Sequence, residues 1–265
     1  MVSNYALEGR KKISYLFKKI KYDRNFLREN PTYFQPDGLL IFVGPQGSGK
    51  TLSAVNYVYN LIYMYPNCKI VTNVDLTDFP VVTFEDFCIS KGFILNDLSE
   101  EEKKELEELY LKENRVFRFK NAYDFQKYNN GKEGVIFFVD EIHLYLNSLK
   151  SKNVNMDVIT QISQQRKQRK HIVATCQVFG RMAKPLREQF SCVIQCKCYF
   201  NFIQKNSLID RDSISSDEST GTNISGEVKK NFIYFRCPEM FKRYDTYAII
   251  ENSDLAYEKN NQEIY

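Results

Sequence analysis

The sequence predicts an α/β fold, a mostly parallel sheet with helices on both faces, and three observations lead there. Short, largely apolar runs recur at residues 39–43, 135–139, 172–176 and 192–196, as expected of strands buried on both faces. Helix-patterned segments at 50–64, 99–114 and 153–170 alternate with them, which favours parallel strands joined by crossovers. Finally, Gly44-Pro45-Gln46-Gly47-Ser48-Gly49-Lys50-Thr51 satisfies GxxxxGK[ST] between an apolar run and a helix, the setting in which that pattern cradles phosphates.

Length and composition set the frame. The 265 residues suffice for one large α/β domain with decorations, or a core with a small appendage, and 43% apolar residues allow a sizeable core. The net charge of +4, from 37 basic and 33 acidic side chains, neither demands nor excludes a nucleic-acid partner. Seven cysteines stand at 68, 88, 176, 192, 196, 198 and 237 without a CxxC pair. They read as buried, reduced thiols. Only His143 and His171 can supply imidazole, so a metal site at Cys196 and Cys198 lacks partners. No apolar run approaches the ~18 residues of a membrane span, and the N-terminus lacks an apolar signal core. A cytoplasmic protein is expected.

Residues 1–37 form a leader. From Lys11 to Arg28, Lys11, Lys12, Lys18, Lys19, Lys21, Arg24 and Arg28 stand against a single acid, Asp23, while Ile13, Leu16, Phe17 and Ile20 recur at helical spacing. This is a basic amphipathic helix, expected to pack on the core; nucleic acid, an anionic membrane or a partner subunit are its alternative contacts. The ATPase core is expected over 38–203. Within it, 69–74 reads as a strand, Val81-Val82-Thr83-Phe84 as another short one, and about 91–130 as a helical insertion. There Ser99-Glu100-Glu101-Glu102 opens an acidic helix with a capping signature. The remainder, 204–265, reads as a loop, a hairpin strand and a tail. Residues 205–228, rich in Ser, Asp, Asn and Gly, are the loop before Phe232-Ile233-Tyr234-Phe235.

The chemistry concentrates at two motifs. Gly44, Pro45, Gln46, Gly47, Ser48 and Gly49 let the backbone curl and point N–H groups at phosphate, helped by the dipole of the following helix. Lys50 would reach the β- and γ-phosphates of ATP, and Thr51 would ligate Mg²⁺. Val135-Ile136-Phe137-Phe138-Val139-Asp140-Glu141 fits a Walker B strand. Asp140 would hold Mg²⁺ through its water shell, and Glu141 is placed as general base for the attacking water. The second acid favours hydrolysis over small-molecule phosphorylation. Gln177, at the tip of the strand 172–176, is expected to sense the γ-phosphate. His143 reads as a loop or cap histidine. Arg166, Arg169, Arg181 and Arg187 are candidates for an arginine supplied across a subunit boundary.

Asp140-Glu141, then Gln177, then Pro185-Leu186-Arg187 resemble the FtsK/HerA branch of additional-strand P-loop ATPases over about residues 38–200. Within it the chain is similar to zonula occludens toxin-like phage assembly proteins and to phage genome-packaging ATPases. The resemblance implies a RecA-like core, assembly into a homo-oligomeric ring, ATP hydrolysis and movement of double-stranded DNA, with a capsid portal as possible partner. By position it assigns nucleotide and Mg²⁺ binding to Lys50 and Thr51, hydrolysis to Asp140 and Glu141, and sensing to Gln177; among the arginine candidates, Arg166, Arg169 and Arg187 are placed with the catalytic residues. Relatives of the assembly type carry a membrane span after the ATPase domain, and none is visible here. A soluble packaging motor in a host cytoplasm is therefore expected ahead of a morphogenesis or secretion ATPase acting on proteins at a membrane.

Overall fold

The computed structural model describes residues 2–36, 38–146, 162, 167–182, 187–210, 213–216 and 224–245. Ten strands occur among them: β1 (Gly38–Val43), β2 (Lys69–Thr72), β3 (Val116–Arg118), β4 (Val135–Val139), β5 (Lys170–Cys176), β6 (Phe190–Tyr199), β7 (Ile203–Ile209), β8 (Ser215–Ser216), β9 (Ile224–Ser225) and β10 (Val228–Phe235). Eight form one sheet in the order β10-β7-β6-β1-β5-β4-β2-β3, and β8 and β9 pair as a separate ribbon. From β6 to β3 every pairing is parallel; β7 and β10 add to the β6 edge antiparallel. β5 intervenes between β1 and β4, which is the additional strand of a RecA-like P-loop fold.

Alternation along the central strands divides the core. Leu39, Ile41, Val43, Val135, Phe137 and Val139 face one layer, while Leu40, Phe42, Ile70, Ile136 and Phe138 face the other. Helix α1 (Val2–Glu29) precedes the sheet. On the second face lies α2 (Lys50–Met64), with Val55, Val58, Tyr59 and Ile62 buried. Phe87 of α3 (Phe84–Ser90) and Tyr110 of α4 (Glu100–Glu113) pack on the first. Two short helices, α5 (Asp124–Lys127) and α6 (Pro238–Phe241), complete the described elements.

Several expectations change. Residues 81–83 form no strand, because Thr83 caps α3: its hydroxyl accepts from Asp86 N while the Asp86 carboxylate accepts from Thr83 N. The stretch 205–228 is not one loop. Its first residues complete β7, which turns back from β6 through Phe200 and Asn201, both at positive φ. β10 pairs with β7 antiparallel. The leader does not pack on the core along its length, since residues 14–25 are all exposed. Its anchor follows the helix: Phe34 is fully buried and Phe34 N donates to Lys132 O. The helix expected at 153–170 falls mostly outside the described residues, but 167–169 form a turn and Lys170 opens β5.

Gly134 holds φ +72°, and a Cβ there would lie 2.3 Å from the Phe34 ring. Gly134→Ala should cost about 2–3 kcal/mol from left-handed strain and overlap combined, read as a lower urea midpoint at unchanged slope; an unchanged midpoint would mean the leader anchor is loose. Burial lowers the Lys170 ammonium from 10.5 to about 8, with Nζ donating to Phe125 O at 2.7 Å. The unfolded chain then binds the extra proton between these values. Stability should rise by roughly 1–3 kcal/mol from pH 8 to 10.5 relative to Lys170→Met, and parallel curves would refute it.

Candidate functional site

The pairing of Val43 with Cys176 and of Val139 with Ala174 brings the phosphate loop, Gln177 and the two acids to one end of the sheet. The loop curls tightly: Gly47 and Gly49 adopt φ +78° and +81°, and α2 begins at Lys50. A Cβ on Gly44 would meet Ser48 Oγ at 2.5 Å and Cys196 O at 2.8 Å, so only glycine fits. Ser48 Oγ is buried without a hydrogen-bond partner among the described residues, a group that a phosphate oxygen would satisfy.

Asp140 is gripped from three sides. Thr51 Oγ1 donates to its Oδ1 at 3.0 Å and lies 3.3 Å from Oδ2, and the Thr175 hydroxyl donates to Oδ1. Asn73 brackets the Asp140 backbone, donating from Nδ2 to the carbonyl at 2.9 Å and accepting from Asp140 N at 2.8 Å. Burial pushes the Asp140 carboxyl up, against the Thr175 hydrogen bond. A divalent cation would favour the charged form. Thr51 and Asp140 therefore suit Mg²⁺, which needs one or two protein oxygens beside those of phosphate. Among the described residues no cluster of three or more His, Cys, Asp or Glu forms an all-protein metal site.

Glu141 is held differently. Its backbone is left-handed, φ 50°, with N donating to Thr175 Oγ1 at 2.9 Å. Gln177 Nε2 donates to Oε1 at 2.9 Å, and Lys50 Nζ forms an ion pair with the same oxygen at 3.1 Å. His143 Nδ1 lies 3.3 Å from Oε2, off hydrogen-bond alignment. Burial alone would raise this carboxyl, but His143, Gln177 and the Lys50 charge together hold it down at about 2. His143 thus lies beside Glu141, in a tight turn after it, where sequence reading gave it a loop or cap role.

The structure places one of the arginine candidates away from this end. Arg169 lies at the start of β5, the opposite end from Gln177, with its guanidinium 4.0 Å over the Tyr33 ring. Arg187 is half-buried, and its Nε makes no hydrogen bond among the described residues. Arg181 ends a short turn, and Arg166 lies outside the described residues.

The zonular occludens toxin (Zot) family profile matches residues 38–247. The chain belongs to that family. The N-terminal domain of zonular occludens toxin from Neisseria meningitidis superposes with TM-score 0.50 at 16% identity, covering 80% of this chain and 100% of that one. The genome-packaging NTPase B204 of Sulfolobus turreted icosahedral virus 2, bound to sulfate, gives 0.42 at 12% identity over 63% and 76%. The DNA-packaging ATPase B204 of Sulfolobus turreted icosahedral virus gives 0.40 at 16% over 60% and 75%. No curated protein matches.

This Zot-family chain also braces its phosphate loop from the antiparallel edge, which sequence reading missed. Gln204 Nε2 donates to Ser48 O at 3.1 Å and to Asn206 Oδ1 at 2.8 Å. Arg236 clamps Gln204 Oε1 through Nε at 3.0 Å and a terminal nitrogen at 2.7 Å. Ser53, in the first turn of α2, bonds Asn206 and Tyr234. The only available signal is the pair of polar residues alternating at 204 and 206, and such residues suggest a loop. Gln204→Ala should weaken nucleotide binding about three- to tenfold, the worth of a lost hydrogen bond, without unfolding the chain. Unaltered affinity by fluorescent-nucleotide titration would show that the brace does not shape the loop.

Proposed function

We propose that this chain hydrolyses ATP with Mg²⁺ and works as a homo-oligomeric ring that drives double-stranded DNA, most directly as a viral genome-packaging motor docked on a capsid portal in the host cytoplasm. The observation that carries the reading is Glu141, held by Gln177 and Lys50 beside an Asp140 already bound to Thr51.

These contacts support the following chemistry. Backbone N–H groups of 44–51 receive the phosphates. Lys50 exchanges the Glu141 carboxylate for phosphate oxygens, which removes one of the influences depressing that carboxylate and strengthens it as a base. Glu141 then takes the proton of the attacking water, while Gln177 keeps its carboxylate aimed. Thr51 and Asp140 would hold Mg²⁺, whose charge would offset that of the phosphates. An arginine of a neighbouring subunit, from among Arg166, Arg169 and Arg187, completes the site.

A second reading, a morphogenesis or secretion ATPase acting on proteins at a membrane, draws support from the Zot family match. No helix among the described residues is long and apolar enough to cross a membrane.

Steady-state ATP hydrolysis, with and without double-stranded DNA, separates the two. DNA should stimulate the wild type, and Glu141→Gln should lower turnover about 10²–10⁴-fold. Robust hydrolysis indifferent to DNA would favour the second reading; none in any condition would oppose both.

A further inference from the structure

A nucleotide lying in the phosphate loop has two ends, and the strand order decides which way each points. Glu141 follows β4 and Gln177 follows β5, both on one side of β1, while β6 lies on the other. With the reactive phosphate turned toward Glu141, the nucleoside leaves the loop on the β6 side. There β6 outruns β1. Val43, the last residue of β1, pairs with Gln195, and β6 continues through Tyr199. These four further residues, about 13 Å of strand, stand as a wall beside the loop.

Between wall and loop lies a cavity of about 430 Å³, with Pro45, Gln46 and Gly47 on the loop side and Lys197, Tyr199 and Asn201 on the strand side. That volume falls in the range of small-molecule sites, roughly 300–1,000 Å³. The wall is held in place. Phe200 and Asn201, at φ 52° and 61°, make the tight turn into β7. Phe202 N donates to Tyr199 O at 3.3 Å, and Gln204 of β7 ties the hairpin to the loop through Ser48 O. Tyr199 is 44% exposed, and neither a ring contact nor a hydroxyl hydrogen bond engages its side chain among the described residues. A fixed cavity wall therefore carries an aromatic ring without a partner.

We propose that this cavity is the nucleoside subsite: the base stacks on the Tyr199 ring, with Pro45 and Gln46 on its other face, and the Asn201 amide serves the base edge or the ribose hydroxyls. The proposal rests on the nucleotide-hydrolysis reading and names where base and sugar lie. Two features favour a nucleoside as occupant. The cavity shares residues of the phosphate loop itself, so a ligand anchored by its phosphates reaches it without a break. Of the lining residues only Lys197 is charged, which suits a neutral base and sugar whose contacts are stacking and hydrogen bonds.

Calorimetric titration of the full-length chain tests it. With Mg²⁺ throughout, a slowly hydrolysed ATP analogue is compared with inorganic tripolyphosphate, which carries the phosphates but no nucleoside. Circular dichroism checks that each variant folds. Tyr199→Ala should weaken the analogue about tenfold, within the range of base–aromatic stacking, and leave tripolyphosphate unchanged. Tyr199→Phe keeps the ring and should bind both like wild type. Phe200→Ala, in the same turn but outside the cavity lining, should change neither. If Tyr199→Ala loses nothing, or loses analogue and tripolyphosphate equally, the subsite is overturned. So it is if Tyr199→Phe or Phe200→Ala loses as much as Tyr199→Ala, because the hydroxyl or the turn would then be the cause. A wild type that binds tripolyphosphate as tightly as the analogue overturns the subsite and leaves the phosphate loop standing; one that binds neither defeats the nucleotide-hydrolysis reading too.

Discussion

The insertion of β5 between β1 and β4 fixes where the phosphate loop, the two acids and Gln177 lie. Parallel pairing ends these strands together, so the segments leaving them emerge at one edge. After β1 comes the phosphate loop, after β4 the two acids, and after β5 the glutamine. The strand interiors are apolar and buried on both faces, so a one-residue slip would turn every side chain onto the wrong layer. The core therefore sets the register, and the register sets the distances among Lys50, Glu141 and Gln177.

Within that frame the two acids diverge by environment. Asp140, buried and hydrogen-bonded to two hydroxyls, is shaped for a cation. Glu141, in a left-handed backbone, is the group proposed to take a proton. In the proposed mechanism its contact with Lys50 couples base strength to occupancy of the loop, because the lysine cannot serve the carboxylate and the phosphates fully at once. The brace from Gln204 and Arg236 extends the coupling to the antiparallel edge, so that β7 and β10 touch the same loop the nucleotide would touch.

Much of this was legible in the sequence. The Walker motifs, the boundaries of α2 and β4, and the capped start of α4 all come from local rules: glycine at positive φ, apolar runs, and a Ser-x-x-Glu box. The parallel sheet is implied by alternation. What escaped were features set by distant partners. Gln204 and Asn206 look like loop residues until the phosphate loop is placed over them. Thr83 belongs to a helix because of Asp86, despite β-branched neighbours. The exposure of α1 could not be read from its pattern, since an amphipathic stripe says only that something covers it. The arginine that completes the site, if another subunit supplies it, leaves no mark within one chain.

The central claim is that Lys50 is shared between Glu141 and the nucleotide. Its most direct test is the equilibrium affinity of a fluorescent, slowly hydrolysed ATP analogue for the wild type and for Glu141→Gln. Removing the carboxylate charge frees the lysine, so the variant should bind about fivefold more tightly, roughly the ~1 kcal/mol of a partly exposed ion pair, even though its turnover falls. Affinity equal to or weaker than the wild type would mean that the Lys50–Glu141 contact does not compete with the phosphates, and the coupling of base strength to occupancy would have to be abandoned.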